Sequence, residues 1–160
     1  MPINPSQIIN KNEGNKTRLV YRLLIGGIPV VCIAFAGENI TIMPQIQIEI
    51  PYTPELGKNK MKGFARGHYY TTKAYKDACV SLADIVWGKS KGQKWVKDKI
   101  LVEIFLQKPR LVCDVANFVD GIFDAIKVGL SIDDCYYSLK ADWEYDKEVK
   151  PYIVITITQD

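Results

Sequence analysis

Acidic side chains recur along one stretch in the second half of the chain. Asp120 and Asp124 are four residues apart, Asp114 precedes them, and Asp133 and Asp134 follow as an adjacent pair. Two carboxylates about 4 Å apart repel by on the order of 4 kcal/mol at the effective dielectric of a protein surface. Such a cluster needs water or a cation, and hard divalent ions prefer carboxylate oxygens. The stretch therefore indicates a candidate metal site.

The periodicity of the same stretch predicts an amphipathic helix over residues 114–129. Four apolar residues recur at helical spacing and form a core face: Phe118, Ile122, Ala125 and Ile126. Asp120, Asp124 and Lys127 fall on a second face. Gly129 is a favourable residue at a helix end, and Lys127 complements the helix dipole in the last turn. The helix would thus carry the acids at its entrance, along one side and beyond its end.

The composition is that of one domain. A chain of 160 residues is long enough to bury about two-thirds of its unfolded surface without disulfides. The cysteines at 32, 79, 113 and 135 are far apart and lack metal-ligand spacing, which indicates reduced thiols in a cytoplasmic protein. No 18-residue apolar run is present, so no membrane partner is expected.

The net charge of +3 hides a strong asymmetry. Residues 1–112 contain 17 Lys and Arg against 8 Asp and Glu, whereas residues 113–160 contain 4 against 10. A basic body beside a local acidic cluster is typical of a protein that holds a polyanion on one surface and a metal on another.

The first 44 residues read as an extension. Residues 1–16 are polar and predict a surface arm or a mobile terminus. Residues 19–25 and 28–35 predict a β-hairpin around Gly26-Gly27, with Pro29 marking an edge strand. A secretory signal is the competing interpretation, because a basic start precedes an apolar run that ends in Ala34-Phe35-Ala36. Gly-Gly-Ile-Pro would interrupt a signal helix, and this favours the hairpin.

Residues 45–160 predict an α+β core. Strands are predicted at 45–50, 100–106, 136–143 and 152–158, with a helix from Thr71 or Thr72 to about Trp87, ended by Gly88. Together with the acidic helix these elements give a single α+β domain with a β-α-β-α-β-β core, preceded by the extension over residues 1–44. The stretch 52–68 is predicted as a flexible loop.

That loop carries a candidate nucleic-acid surface. Its cations are Lys58, Lys60, Lys62 and Arg66. Aromatic residues flank them, a composition that fits phosphate contacts and an ordinary solvated loop about equally well. His68, the only histidine, is interpreted as a surface or DNA-contact residue. Lys108 and Arg110 stand just before the acidic helix and could add further phosphate contacts.

Together, these residues resemble the RusA family of Holliday-junction resolvases, often carried by phages and prophages. The resemblance covers residues 46–157 and is carried by Asp114-x-x-Asn117, the helix with Phe123-Asp124-Ala125, Gly129 and Asp133-Asp134. It implies a mixed sheet with two helices and a homodimer that uses Mg²⁺ or Mn²⁺ to cut a four-way DNA junction. No small-molecule cofactor is implied, and the setting would be the cytoplasm of a bacterial or phage-infected cell.

The resemblance assigns roles to individual positions. Asp114 matches the first catalytic acid, Asn117 the motif Asn, and Asp134 the third acid with Asp133 beside it. Asp114 taken alone fits a helix N-cap, and Asp133-Asp134 taken alone fits a turn. The whole set in the right element order is what favours a functional role.

Two positions depart from the family pattern. Ala116 stands where a second acid is expected, and Asp120 stands where the family has a Lys. Asp120 is one turn from Ala116 and could supply the missing carboxylate. Alternatively, the protein binds junctions without cutting them, or Ala116 is a deliberate Asp→Ala change that traps an inactive form.

The sequence thus predicts a metal-dependent endonuclease that resolves four-way DNA junctions in recombination and repair. Asp114, Asp134, Asp120 and Asp133 are the predicted metal ligands, with Asn117 in the catalytic set. The alternatives are a catalytically impaired DNA-junction binder of the same fold and a small α+β interaction module.

Overall fold

An antiparallel sheet is formed by the N-terminal region. The computed structural model describes the backbone of residues 9–13, 16–25, 28–35 and 41–159, and the side chains of residues 43–159. The sheet consists of β1 (Ile9–Glu13), β2 (Lys16–Ile25), β3 (Ile28–Phe35) and β4 (Thr41–Ile42), in that order. The predicted hairpin is confirmed by the pairing of β2 with β3, while its turn at Gly26-Gly27 lies outside the described residues.

The prediction of a surface arm over residues 1–16 is wrong for residues 9–13. These residues form β1 and pair with β2 from Ile9↔Val20 to Glu13↔Lys16. The polar, Asn-rich composition concealed a strand because hydrogen bonding to the longer β2 sets the backbone there. Residues 1–8 lie outside the described part of the chain.

A second, mixed sheet forms the centre of the protein. Its order is β5 (Gln45–Pro51), β10 (Tyr152–Gln159), β8 (Ile100–Gln107) and β9 (Tyr137–Glu144). β10 runs antiparallel to both β5 and β8, and β9 runs parallel to β8. The four strands lie where the alternating pattern predicts them, within a residue or two at each end, so the predicted α+β class is confirmed.

The register explains the alternation in the sequence. Ile48, Ile155 and Ile104 are cross-strand partners, and all three are buried. Because side chains alternate across a strand, the whole set of isoleucines faces one side of the sheet. Each deeply buried isoleucine contributes about 1.5–3 kcal/mol relative to an exposed one.

Two helices cover that face: α2 (Lys73–Ser90) and α3 (Ala116–Leu130). They contribute Leu82, Val86, Phe118, Ile122 and Ile126 to the core. The four residues predicted for the core face of the acidic helix are all buried. None of the helices in the described part of the chain is long and apolar enough to span a membrane.

Two predicted helix ends are wrong. α2 continues through Gly88 to Ser90, because a solvent-facing glycine weakens a helix without breaking it. α3 continues past Gly129 to Leu130, and Ser131 takes the left-handed conformation with φ of +56°. Gly129 instead serves packing, since a Cβ there would lie 2.7 Å from the Val86 side chain.

The segment predicted as a flexible loop, residues 52–68, is folded. It contains a 3₁₀ turn (Pro54–Leu56), the short α1 (Lys58–Met61) and a hairpin of β6 (Lys62–Ala65) and β7 (His68–Thr71). The strands have four residues each, too few for periodicity to reveal. Two-residue hairpin turns favour positive φ, here +52° at Arg66 and +80° at Gly67. For a residue with a Cβ, such as Arg66, this costs on the order of 1–2 kcal/mol.

The 3₁₀ turn approaches α3 closely at a glycine. A Cβ on Gly121 would overlap the backbone carbonyl of Leu56, and Leu56 itself is buried. The absence of a side chain at 121 therefore determines how near the 3₁₀ turn lies to α3.

Gly121→Ala should lower the free energy of unfolding by about 1–3 kcal/mol, because backbone atoms cannot move aside as a flexible side chain can. Urea unfolding followed by circular dichroism measures this. Gly88→Ala is the matched control: Gly88 is also a helical glycine, but nothing lies within 4 Å of the place that a Cβ would occupy there. It should stabilise by about 0.5–1 kcal/mol. Equal effects of the two substitutions would contradict the close approach.

Candidate functional site

The first predicted acid lies at the start of α3. Its carboxylate oxygen accepts a hydrogen bond from the backbone N–H of Ala116 at 3.0 Å, and its carbonyl accepts one from the N–H of Asn117 at 3.3 Å. Asp114 is exposed. It therefore satisfies a free N–H at the helix start, and this structural role leaves its side chain at the surface.

A cleft of about 230 Å³ brings several predicted site residues together. Asp114 and Asn117 come from the start of α3, Lys60 comes from α1, and Arg110 comes from the loop after β8. The 3₁₀ turn and α1 form the opposite wall. One carboxylate, two amides (Asn59 and Asn117) and two cations thus line the same cleft, a combination suited to an anionic ligand.

Tyr52 and Cys113 also line this cleft and were missed by the sequence analysis. The Tyr52 hydroxyl lies 3.7 Å from the Cys113 sulfur, and its ring packs edge-on against Phe118 with 5.5 Å between centroids. Burial, followed by the contact with Cys113, raises the pKa of Tyr52 to about 12. The phenol is therefore neutral at physiological pH and can donate a hydrogen bond into the cleft.

The two acids on the side of α3 have separate partners. Asp120 forms an ion pair with Lys58 at 3.3 Å. Asp124 accepts a hydrogen bond of 2.6 Å from the hydroxyl of Tyr75, a buried residue of α2. Burial and this hydrogen bond raise the pKa of Tyr75 above its ordinary value. The repulsion expected between the two carboxylates is thus relieved within the chain.

The acid pair lies beyond the other end of α3. Lys127 contacts Asp133 at 3.0 Å and Asp134 at 3.6 Å, and the Asp133 carboxylate accepts a hydrogen bond from the N–H of Cys135. The Lys127 ammonium is the main cause that lowers the pKa of Asp133 to about 2. Lys127 reaches both acids because the chain turns at Ser131. Ser131 adopts a positive φ there although it is not a glycine.

The helix separates the two groups of acids. α3 has 15 residues, which corresponds to a length of about 22 Å. Asp114 precedes the helix, and Asp133 and Asp134 follow it. Carboxylates at opposite ends of such a helix cannot ligate one ion, since ligand distances are near 2 Å.

The predicted DNA-contacting cations are divided by the fold. Lys58, Lys60, Lys62 and Arg66 are exposed on α1 and the β6–β7 hairpin, and Arg110 is exposed at the cleft. Lys108 is only 6% exposed, with its ammonium 3.3 Å from the centre of the Trp143 ring. It is engaged within the chain by a cation–π contact.

The donor set decides how a metal could be held. Among residues 43–159, whose side chains are described, no group of three or more His, Cys, Asp or Glu is placed to bind a metal ion. The predicted ligands Asp114, Asp120, Asp133 and Asp134 do not converge in one chain. The donors that the structure describes in one chain therefore do not fit a closed metal centre.

Comparisons with known proteins add no assignment. No family model matches this sequence, and no curated protein matches it.

The Lys127–Asp133 contact has a measurable consequence. A carboxyl whose pKa is lowered in the folded state stabilises the fold above the unfolded-state pKa and loses that effect as the pH falls through the folded-state pKa. The contribution of Asp133 should therefore disappear between about pH 4 and pH 2. In Lys127→Gln, the pKa of Asp133 should rise toward the ordinary value.

Carboxyl carbon NMR titration measures this pKa directly. Lys147→Gln, which alters an exposed lysine paired with Glu148, is the control and should leave the Asp133 titration unchanged. A normal Asp133 titration in the unsubstituted protein would contradict the contact.

Proposed function

We propose that this protein binds branched DNA and cleaves it as a divalent-metal-dependent endonuclease. The observation that carries the proposal is the cleft that joins Asp114 and Asn117 to Lys60 and Arg110. The two cations are suited to the phosphates on either side of a scissile bond. The resemblance to the RusA family, which rests on Asp114, Asn117 and the Asp133-Asp134 pair, supports the same assignment.

Five residues of the cleft have roles in this proposal. Lys60 and Arg110 bind the phosphate oxygens, and Arg110 can do so with two parallel N–H donors. Asn117 orients a phosphate oxygen or a water molecule through its amide. Tyr52, kept neutral by its raised pKa, donates a hydrogen bond to an anionic oxygen. Asp114 is the one carboxylate that lines the cleft.

The separation of the acids points to two copies of the chain. In a two-fold dimer, a surface patch meets the same patch of the partner. Two α3 helices that pack antiparallel across the axis would bring Asp114 of one chain near Asp134 of the partner subunit. This arrangement brings together the two groups of acids that α3 separates within one chain, and it agrees with the homodimer implied by the family resemblance.

A second candidate function is junction binding without cleavage. Ala116 carries no carboxylate, and Asp120, which could replace it, is paired with Lys58. Both observations favour a protein that keeps the cationic surface but lacks the full set of acids. In this case the exposed lysines and Arg110 would bind the junction, and metal would not be required.

A metal titration separates these functions. We expect nicking of a mobile four-way junction in Mg²⁺ or Mn²⁺, and a gel shift without nicking in Ca²⁺. Asp114→Asn should reduce nicking about a hundredfold or more, because several kcal/mol of transition-state stabilisation are lost, and should preserve the gel shift. Glu148→Gln, an exposed acid on the turn between β9 and β10, is the control and should nick normally.

Other results of these assays would favour the second candidate or contradict both. Binding without nicking at every metal concentration supports the second candidate, and recovery of nicking in Ala116→Asp would then assign the defect to that position. Asp120→Ala tests whether Asp120 replaces the missing acid: unchanged nicking would make it a surface residue. A protein that binds junction and duplex DNA equally at moderate salt contradicts both candidates.

If the protein nicks junctions, mixing two inactive variants tests whether each catalytic centre combines acids from both chains of the dimer. If each centre combines Asp114 of one chain with Asp134 of the other, a mixed dimer of Asp114→Asn and Asp134→Asn chains has one intact centre. We expect about half of the dimers in an equal mixture to be mixed by random pairing, and these should nick one strand. No recovery in the mixture would place both acids of a centre in the same chain.

A further inference from the structure

The β6–β7 hairpin exposes a pair of aromatic rings. Phe64 and Tyr69 are cross-strand partners with ring centroids 5.0 Å apart, and they are 63% and 77% exposed. Adjacent exposed apolar side chains mark an interaction surface more often than single exposed apolar residues do. Both rings lie on the same face of the hairpin because paired residues of neighbouring strands point the same way.

The pair belongs to a basic segment of the chain. Residues 56–76 contain six cations and no Asp or Glu. The cations are Lys58, Lys60, Lys62, Arg66, Lys73 and Lys76. The whole chain, in contrast, has a net charge of only +3. The surface therefore combines aromatic rings with the charge that a nucleic-acid backbone requires.

The hairpin is held firmly at its base. Thr72 donates from its backbone N–H to the Met61 carbonyl at 3.0 Å and from its hydroxyl to the Lys60 carbonyl at 2.6 Å. The same hydroxyl accepts a hydrogen bond from the N–H of Tyr75 and caps α2. The hairpin is thus fixed to both neighbouring helices.

The other face of the hairpin carries Tyr70, which is 52% exposed. The ring of Tyr70 lies over Gly63, where a Cβ would come within 2.5 Å of the ring. Tyr70 therefore covers the backbone, whereas Phe64 and Tyr69 remain free to meet a partner. Two aromatic rings inclined at 56° to each other, on a hairpin anchored at its base by Thr72, lose little conformational entropy on binding.

The tip of the hairpin carries Arg66 in a left-handed conformation with φ of +52°. Asn, Asp or Gly adopts this conformation at lower cost. An arginine in a strained position next to the aromatic pair supports a functional reason for the residue. Its guanidinium is exposed and is placed to bind a phosphate.

We propose that Phe64 and Tyr69 form a stacking platform for unpaired DNA bases, with Arg66 and Lys62 binding the adjacent phosphates. The inference rests on the proposed DNA-binding function and deepens it. In duplex DNA the faces of the bases are covered by their neighbours, so an aromatic platform distinguishes unpaired nucleotides from duplex. The exchange point of a four-way junction, where stacking is interrupted, would be its target.

The test compares the full-length protein with a Phe64→Leu/Tyr69→Leu variant. Binding to single-stranded DNA is followed by fluorescence anisotropy, and stacking is followed by quenching of 2-aminopurine placed in the strand. We expect the double variant to bind single strands about tenfold more weakly and to lose the quenching, while its duplex affinity is unchanged. Phe64→Trp should retain both signals.

Two further variants complete the experiment. Tyr145→Leu is the matched control, since Tyr145 is an exposed aromatic residue among acids, and it should bind as the unsubstituted protein does. Arg66→Asn should weaken single-strand binding and reduce the slope of log affinity against log salt by about 0.7. Its thermal stability should be equal or higher, because the turn is relieved.

Three results are decisive. Equal single-strand affinity and quenching in the double variant would overturn the proposal, and so would a complete lack of single-strand binding by the unsubstituted protein. Failure to prefer junctions to duplex, with stacking at Phe64 and Tyr69 intact, would overturn the proposed function and leave this inference standing.

Discussion

The contact between Gly121 and the Leu56 carbonyl determines the geometry of the candidate site. Because residue 121 has no Cβ, the 3₁₀ turn lies directly on α3. α1 follows this turn immediately and places Lys58 and Lys60 beside the first half of α3. The cleft that joins Lys60 to Asp114 therefore depends on a backbone contact between two segments about 60 residues apart in the chain.

The acids of α3 and of the segment after it have partners within the chain. Lys58 pairs with Asp120, Tyr75 donates to Asp124, and Lys127 contacts both Asp133 and Asp134. The lysine pairs are exposed, and such pairs contribute about 0–1 kcal/mol each. A divalent ion or a partner subunit could therefore replace a lysine at small cost. The hydrogen bond from buried Tyr75 is a different case, because breaking it would leave a buried hydroxyl without a partner.

The sequence predicts the central fold well because that fold follows from local patterns. The alternation at Gln45–Pro51 and the helical spacing of Phe118, Ile122 and Ile126 each reflect which face is buried. The β6–β7 hairpin has no such pattern. Its strands are short and exposed, and the turn residue Arg66 lacks the usual preference for positive φ. β1 was missed for a related reason, since its pairing with β2 overrides its polar composition.

The site was predictable in its residue types and less so in their partners. Asp114, Asn117, Lys60 and Arg110 line one cleft, and all four were among the predicted site residues. Tyr52 and Lys127 were not among them. Tyr52 contacts Phe118 because the end of β5 lies against α3. Lys127 contacts the acid pair because the chain turns at Ser131. Neither event has a sequence signal of its own. The distance between the two groups of acids, in contrast, follows from the helix length alone.

The polarity of α3 gives these charges a common direction. The start of a helix carries a partial positive charge and the end a partial negative charge. At the start, Lys60 and Arg110 reinforce the positive field around the cleft. At the end, Asp133 and Asp134 reinforce the negative field, and Lys127 offsets part of it. An anionic ligand is thus drawn to one end of α3 and a cation to the other, so a single chain separates the two charges that the proposed phosphodiester cleavage would have to bring together.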